Sequence, residues 1–387
     1  MRIIGRRRRP GLAGALVLAA GCGGVAPPPT APPGAPVPDP VENLAARVIL
    51  IGDAGAPAPS DPVLMALRSE IERDPSRTLV VFLGDNIYPR GLSAPGTRRY
   101  EEEQRRLEIQ LEAVRGTAAT TVFIPGNHDW DGGGEAGWEA VRRQAAYVDR
   151  HGGPGVSWLP RDGCPGPEQL DFGGAVRLVV LDTQWWLHDG PRPEDPASSC
   201  AADSEAEVLE ALARDIEGAG ERPVVVVGHH PLATGGPHGG RFGWREHLFP
   251  LRAVRSWLWL PLPIIGSAYP IARQHGITDQ DLSGSRNRHM REALAEVFAE
   301  RPPRVFAAGH EHTLQVLEGR EVPWLLVSGT GYFGHASPVG RLPETLFASS
   351  ASGFMRLDLD ASGSMRLGVL VVDASGASRE AFARLLH

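Results

Sequence analysis

Thr120-Thr121-Val122-Phe123-Ile124-Pro125-Gly126-Asn127-His128-Asp129 is the stretch on which the fold turns. Its first five residues are β-branched or apolar, too few for a helix and stopped by Pro-Gly, which reads as a buried strand. An amide, an imidazole and a carboxylate follow the glycine directly. The same arrangement recurs along the chain. Val48 to Ile51 runs into Gly52-Asp53-Ala54-Gly55, and Leu79 to Leu83 into Gly84-Asp85-Asn86-Ile87-Tyr88. Val224 to Val227 runs into Gly228-His229-His230-Pro231, and Val305 to Ala308 into Gly309-His310-Glu311-His312.

Two further apolar runs, Val176 to Leu181 and Trp324 to Val327, complete the predicted strands. Helical stretches lie between them at 61–73, 98–115, 136–150, 204–217 and 287–300. Strands alternating with helices predict an α/β layered fold. Residues 353–359 and 364–372 alternate apolar and polar around Asp360-Ala361-Ser362-Gly363, and are expected to form a hairpin closing one sheet.

In open α/β sheets, ligands bind at the C-terminal ends of the strands. Five strands therefore deliver Asp, Asn or His to one edge, each after a glycine that lets the chain turn sharply. Taken singly, a Gly-Asp pair is an ordinary turn and a strand-end His an ordinary hydrogen-bonding residue. Five in series point to metal binding. Carboxylates, an amide oxygen and imidazoles suit borderline or hard cations such as Fe, Zn and Mn. No cysteine is near these positions, which excludes a thiolate site. Asp85 has two oxygens with which to bridge, and a turn after the strand aims His310 and His312 at different metals.

The series resembles the calcineurin-like metallophosphoesterases and, within them, the purple acid phosphatases, including the small tartrate-resistant type. The superfamily's first motif is Asp-x-His, but this chain has Asp53-Ala54-Gly55. Tyr88 stands where the purple acid phosphatases place a phenolate ligand, a hard donor suited to ferric iron. The resemblance spans about residues 47–335 and implies a four-layer α-β-β-α sandwich of two mixed sheets flanked by helices. It implies two metal ions, Fe(III) with Fe(II), Zn or Mn. Asp53, Tyr88 and His312 would hold the ferric ion, Asp85 would bridge, and Asn127, His229 and His310 would hold the divalent ion. His128 would assist the leaving group, with Asp129 orienting its imidazole. His238, nine residues past His229, matches a second substrate-site His of the small members. His230 stands where those members have Tyr, and both a phosphate contact and a structural role are open to it. Asn127 also borders the substrate.

The reaction implied is phosphomonoester hydrolysis by a metal-bridging hydroxide, on a small-molecule phosphate ester. Metals lower the pKa of bound water to about 7, and a paired centre steadies attacking and leaving oxygens. A phosphodiesterase of the same fold, on nucleotides or phospholipid head groups with Mn or Zn, is the alternative within enzymes. A non-catalytic surface lipoprotein is the alternative outside them. The net charge of -7 among 387 residues argues against nucleic acid as partner.

The N-terminus carries an address. Arg6 to Arg9, the apolar Leu12 to Ala20 and Leu18-Ala19-Ala20-Gly21-Cys22 form a secretory signal over 1–22, too short to span a bilayer. The run ending at Cys22 resembles a bacterial lipobox, implying lipidation at Cys22 and a cell-envelope or outer-membrane lipoprotein. Plain secretion or a soluble periplasmic protein is the other reading. Residues 23–44, rich in Pro, Ala and Gly, read as a tether to a catalytic domain over 45–387. The two remaining cysteines, Cys164 and Cys200, are expected to pair in an oxidising compartment. An apolar, proline-broken segment within 241–286 is an insertion. Either it packs on the domain, or its 255–272 loop meets a membrane or a lipid-like substrate.

Overall fold

The computed structural model describes residues 38–194, 198–253 and 258–387. The signal, Cys22 and most of the expected tether lie outside the described residues. The first sheet begins with β1 (Leu44–Ile51), β2 (Thr78–Phe82), β3 (Thr120–Phe123) and β4 (Val156–Trp158). The second contains β5 (Glu168–Phe172), β6 (Val176–Val180), β7 (Val224–Val227), β8 (Val305–Ala308), β9 (Leu314–Glu318), β10 (Trp324–Ser328) and β11 (Thr345–Ser349). The chain then returns to the first sheet with β12 (Gly353–Asp360), β13 (Met365–Val372) and β14 (Ser378–Leu386). The strand orders are β14-β13-β12-β1-β2-β3-β4 and β11-β9-β10-β8-β7-β6-β5. Both sheets are mixed: β1 to β4 run parallel, as do β6, β7, β8 and β10, while the flanking strands are antiparallel.

Parallel strands covered on both faces need continuous apolar sequence, which explains runs such as Val224 to Val227. Alternate residues then serve different layers. Val48 and Leu50 face Val225, Val305 and Val316 between the sheets. Ile49 and Ile51 face the opposite way, towards α1 (Pro62–Ile71), α2 (Tyr100–Val114) and α3 (Gly137–His151). On the far side, Val226 and Phe306 pack against α5 (Glu205–Glu217) and α8 (Ser285–Glu300), while α4 (Thr183–Leu187) follows β6. The result is the four-layer α-β-β-α sandwich.

One expectation is corrected. The β12–β13 hairpin does not close its sheet, because β14 pairs outside β13. Its Ser-Arg-Glu start is polar and largely exposed, so the strand carries little apolar signal. The insertion packs on the domain. It contains α6 (Trp244–Leu248) and α7 (Ala268–Gln274), and then sends Gln280 and Asp281 to the sheet edge. Cys164 and Cys200 form a disulfide, with Cα atoms 5.7 Å apart. Among the described residues no helix is long and apolar enough to cross a membrane.

Candidate metal centre

The C-terminal edges of the two sheets meet. Gly52 N donates to Ser328 O at 2.7 Å, and Gly331 N to Gly52 O at 2.8 Å. Side chains from five strand ends are thereby brought into one buried space. Asp53, Asp85 and His310 sit there at φ 59°, 54° and 65°. Such left-handed backbone costs a non-glycine residue about 1–3 kcal/mol and clusters at functional sites. Gly126 is required by close approach: a Cβ there would land on the Asp85 backbone N and Oδ1.

Two groups of donor atoms form. In the first, Tyr88 Oη lies 2.9 Å from Asp53 Oδ1 and 3.1 Å from His312 Nε2, which is 3.5 Å from Asp53 Oδ1. In the second, Asn127 Oδ1 lies 3.0 Å from both His229 Nε2 and His310 Nδ1, themselves 3.3 Å apart. Asp85 Oδ1 reaches this group at 3.4 Å from His229 Nε2. Asp53, Asp85 and His229 also lie close enough to share an ion. Ligands held about 2.1 Å from one ion sit roughly 3.0–3.4 Å from one another, so both groups have the dimensions of a coordination sphere.

The hydrogen-bond directions give a stricter test. Leu83 O, 2.8 Å from His229 Nδ1, takes the ring hydrogen of that nitrogen and leaves a lone pair on Nε2. Gln280 O, 2.8 Å from His310 Nε2, leaves a lone pair on Nδ1. Metal-bound imidazoles are held in this way, through their second nitrogen. In these neutral tautomers the two lone pairs and the Asn127 carbonyl oxygen converge with no hydrogen between them, an arrangement that draws a cation, or in its absence a proton onto His229. His229 reports the same demand: burial works against its charge, but Asp85 outweighs it and lifts the imidazole to about 9. Asp85 is held well below the carboxylate range, since His229 and His128 overcome its burial. Tyr88 is pushed far above the phenol range by burial, Asp53 and Asp85, which makes its proton one that only a strong cation removes. The donor set therefore fits a metal pair.

The remaining residues divide. His128 lies at the mouth, one-third exposed, its N–H donating to Asp85 Oδ1 at 2.8 Å. Its Nδ1 is 2.7 Å from Pro89 O, which leaves Nε2 facing the site, 3.8 Å from Asp85 Oδ2. Asp129 does not orient this ring. It accepts instead from the backbone N of Asn86, Ile87 and Gly126 and from the Asn86 amide, tying two ligand loops together. His238 packs against His310 with ring centroids 4.0 Å apart and planes tilted by 45°, its Nδ1 2.9 Å from Asp281 Oδ1, which Arg273 also pairs. His230 is buried, and its hydrogen bonds fit the structural role. Thr183 Oγ1 accepts from the backbone N of His229 and His230 and so donates to His230 Nδ1, while His230 Nε2 donates to Gln280 Oε1. Both ring nitrogens thus have protein partners, although His230 also lies near enough to His229 and His310 to share an ion with them.

Sequence reasoning missed Thr183, Gln280, Asp281 and Arg273, none of which stands in a strand-end motif. It also missed His335, whose Nε2 is 3.2 Å from His312 Nε2. Gly331-Tyr332-Phe333-Gly334-His335 does follow β10, but too far beyond the strand for the pattern to flag it.

The family model of the calcineurin-like phosphoesterases matches residues 46–314, and the chain belongs to this family. Purple acid phosphatase PPD1 from yellow lupin seeds shares the fold, with 14% identity and a TM-score of 0.55 over 87% of this chain and 53% of that one. This chain thus spans about half the length of the lupin protein. PhoD is 12% identical, with a TM-score of 0.52 over 91% and 73% of the two chains. GAP50, the anchor in the inner membrane complex of Plasmodium, is 14% identical, with a TM-score of 0.52 over 88% of each chain. At these identities the likeness is one of fold. No curated protein matches the sequence.

Proposed function

We propose that the chain hydrolyses phosphate monoesters at a centre of two metal ions. Asp53, Tyr88 and His312 would hold Fe(III); Asn127, His229 and His310 would hold Fe(II), Zn or Mn; Asp85 would serve both. Bound together, such ions supply hydroxide near or below neutral pH and steady the attacking and leaving oxygens of an in-line displacement. The observation that carries the reading is Tyr88 Oη within 3.1 Å of both Asp53 and His312, in a chain whose first motif has no histidine. That exchange of imidazole for phenolate favours a ferric site.

The protein's own groups supply the rest. Pro89 O fixes the His128 ring, so Nε2 is the nitrogen presented to the leaving-group oxygen. Proton donation there, from the doubly protonated ring, is worth roughly 10²–10⁴-fold. Asp281 and Arg273 hold His238 beside the Asn127–His229–His310 group. The disulfide supports placing the domain in an oxidising compartment, in keeping with export and lipidation at Cys22.

A second reading, hydrolysis of phospholipid head groups, has its own support. The insertion bearing Arg273 and Asp281 exposes Leu260, Ile264, Ile265 and Ile271, an apolar surface suited to a lipid interface. Metal analysis with a visible spectrum tests the ferric site: the expected result is iron plus a second metal and a broad green–yellow band. Comparing p-nitrophenyl phosphate with its bis ester tests the substrate class, and turnover of the diester alone overturns the monoester assignment. Equal, slow hydrolysis by metallated wild type and His128→Ala would make the protein a binding module.

A further inference from the structure

We infer that His335 is a substrate-binding residue, whose Nε2 donates a hydrogen bond to the phosphate oxygen on the Asp53–Tyr88–His312 side of the centre. The inference rests on the two-metal reading above. His335 lies in the loop after β10, which is pinned at three points. Gly331 N donates to Gly52 O at 2.8 Å, Gly334 N to Ser352 Oγ at 2.9 Å, and Ser337 N to His312 O at 2.7 Å. The ring stacks on Tyr332 with centroids 4.4 Å apart, and its Nδ1 is 2.6 Å from Tyr332 Oη. Assigning the phenol hydrogen to Nδ1 leaves the ring hydrogen on Nε2. That nitrogen lies 3.2 Å from His312 Nε2, and the two rings are 3.9 Å apart.

Without metal, the His312 lone pair accepts this hydrogen. A metal ion on His312 Nε2 takes the same lone pair. The His335 N–H is half-buried and then has no acceptor where it points, unless an exogenous oxygen arrives. An anionic phosphate oxygen fits that place and makes a charge-assisted hydrogen bond. The surroundings agree. His128 lies on the Tyr88 ring at 4.6 Å and His335 at 5.2 Å, so two imidazoles border the phenol at the mouth of the site. The chain has no lysine to perform this task.

The test uses metallated His335→Ala and His335→Gln proteins, with inorganic phosphate as probe, followed by calorimetry, metal content and the visible spectrum. His335→Ala is expected to bind phosphate about 10- to 100-fold more weakly. Its metal content and phosphate-free spectrum are expected to stay unchanged. His335→Gln, which retains an N–H donor, is expected to recover most of the affinity. Phosphate binding within about twofold of wild type in His335→Ala overturns the inference in favour of simple stacking. Loss of metal in His335→Ala overturns it in favour of a ligand role. Wild-type protein that takes up no metal would instead overturn the proposed function, and the inference with it.

Discussion

Replacing Thr183 by Val tests whether the geometry of the centre is set by a side chain that touches no donor atom. Val preserves the volume and removes only the hydroxyl. That hydroxyl accepts from His229 N and His230 N, each at 3.1 Å, and lies 2.8 Å from His230 Nδ1. Thr183, His229 and His230 are all buried, so water does not replace the lost partner. Three polar groups are orphaned, each at about 1–3 kcal/mol. Taking the low end of that range, Thr183→Val should lose about 3 kcal/mol, a large part of the roughly 5–15 kcal/mol that holds a domain folded. Thr183→Ser keeps the hydroxyl and removes one methyl, at about 1 kcal/mol. The assay is urea unfolding followed by tryptophan fluorescence in chelator-treated protein, so that metal binding does not mask the difference. A companion metal titration should show affinity reduced by about 10–100-fold in Thr183→Val, because His229 is no longer held at its backbone. If Thr183→Val unfolds at the same urea concentration as Thr183→Ser and binds metal as tightly, the hydroxyl is not an organiser of the site and the reasoning fails.

Asp182, buried beside the Trp130 indole, is raised from 3.8 to about 7, chiefly by burial. A carboxyl with a raised folded-state pKa contributes stability that is fully present below 3.8 and is lost as pH climbs through about 7. Metal-free Asp182→Asn should therefore show a flatter stability profile across that window, and an unchanged slope would remove Asp182 as its source. In the insertion, Ile264 is 91% and Ile265 74% exposed. Protein bearing Cys22→Ser together with Ile264→Asp and Ile265→Asp should sediment less with lipid vesicles than protein bearing Cys22→Ser alone. Equal sedimentation would leave the segment as ordinary surface packing.

The sequence alone determined the parallel strands other than β4, and what stands at their ends, because both are local properties. A strand buried on both faces must be an unbroken apolar run, and the glycine and donor residues follow within two to six positions. Asp53, Asp85, Asn127, His229, His310 and His312 were legible as strand-end residues for that reason, and the layered fold with them, whereas Tyr88 was singled out only through the family resemblance. Exposed or short strands such as β14 and β4 carry little apolar signal, so their pairing was not legible.

Tertiary structure decided everything that depends on direction. Asp129 and His128 are adjacent in sequence, yet the carboxylate turns to the Asn86 loop while the imidazole turns to Pro89. His229 and His230 are also neighbours, and one presents a lone pair to the centre while the other is spent on Thr183 and Gln280. Which nitrogen of His310 is available depends on a carbonyl 30 residues away in the insertion. A residue's type fixes what it can donate or accept. Where it does so is fixed by partners that only packing brings within 3 Å or so.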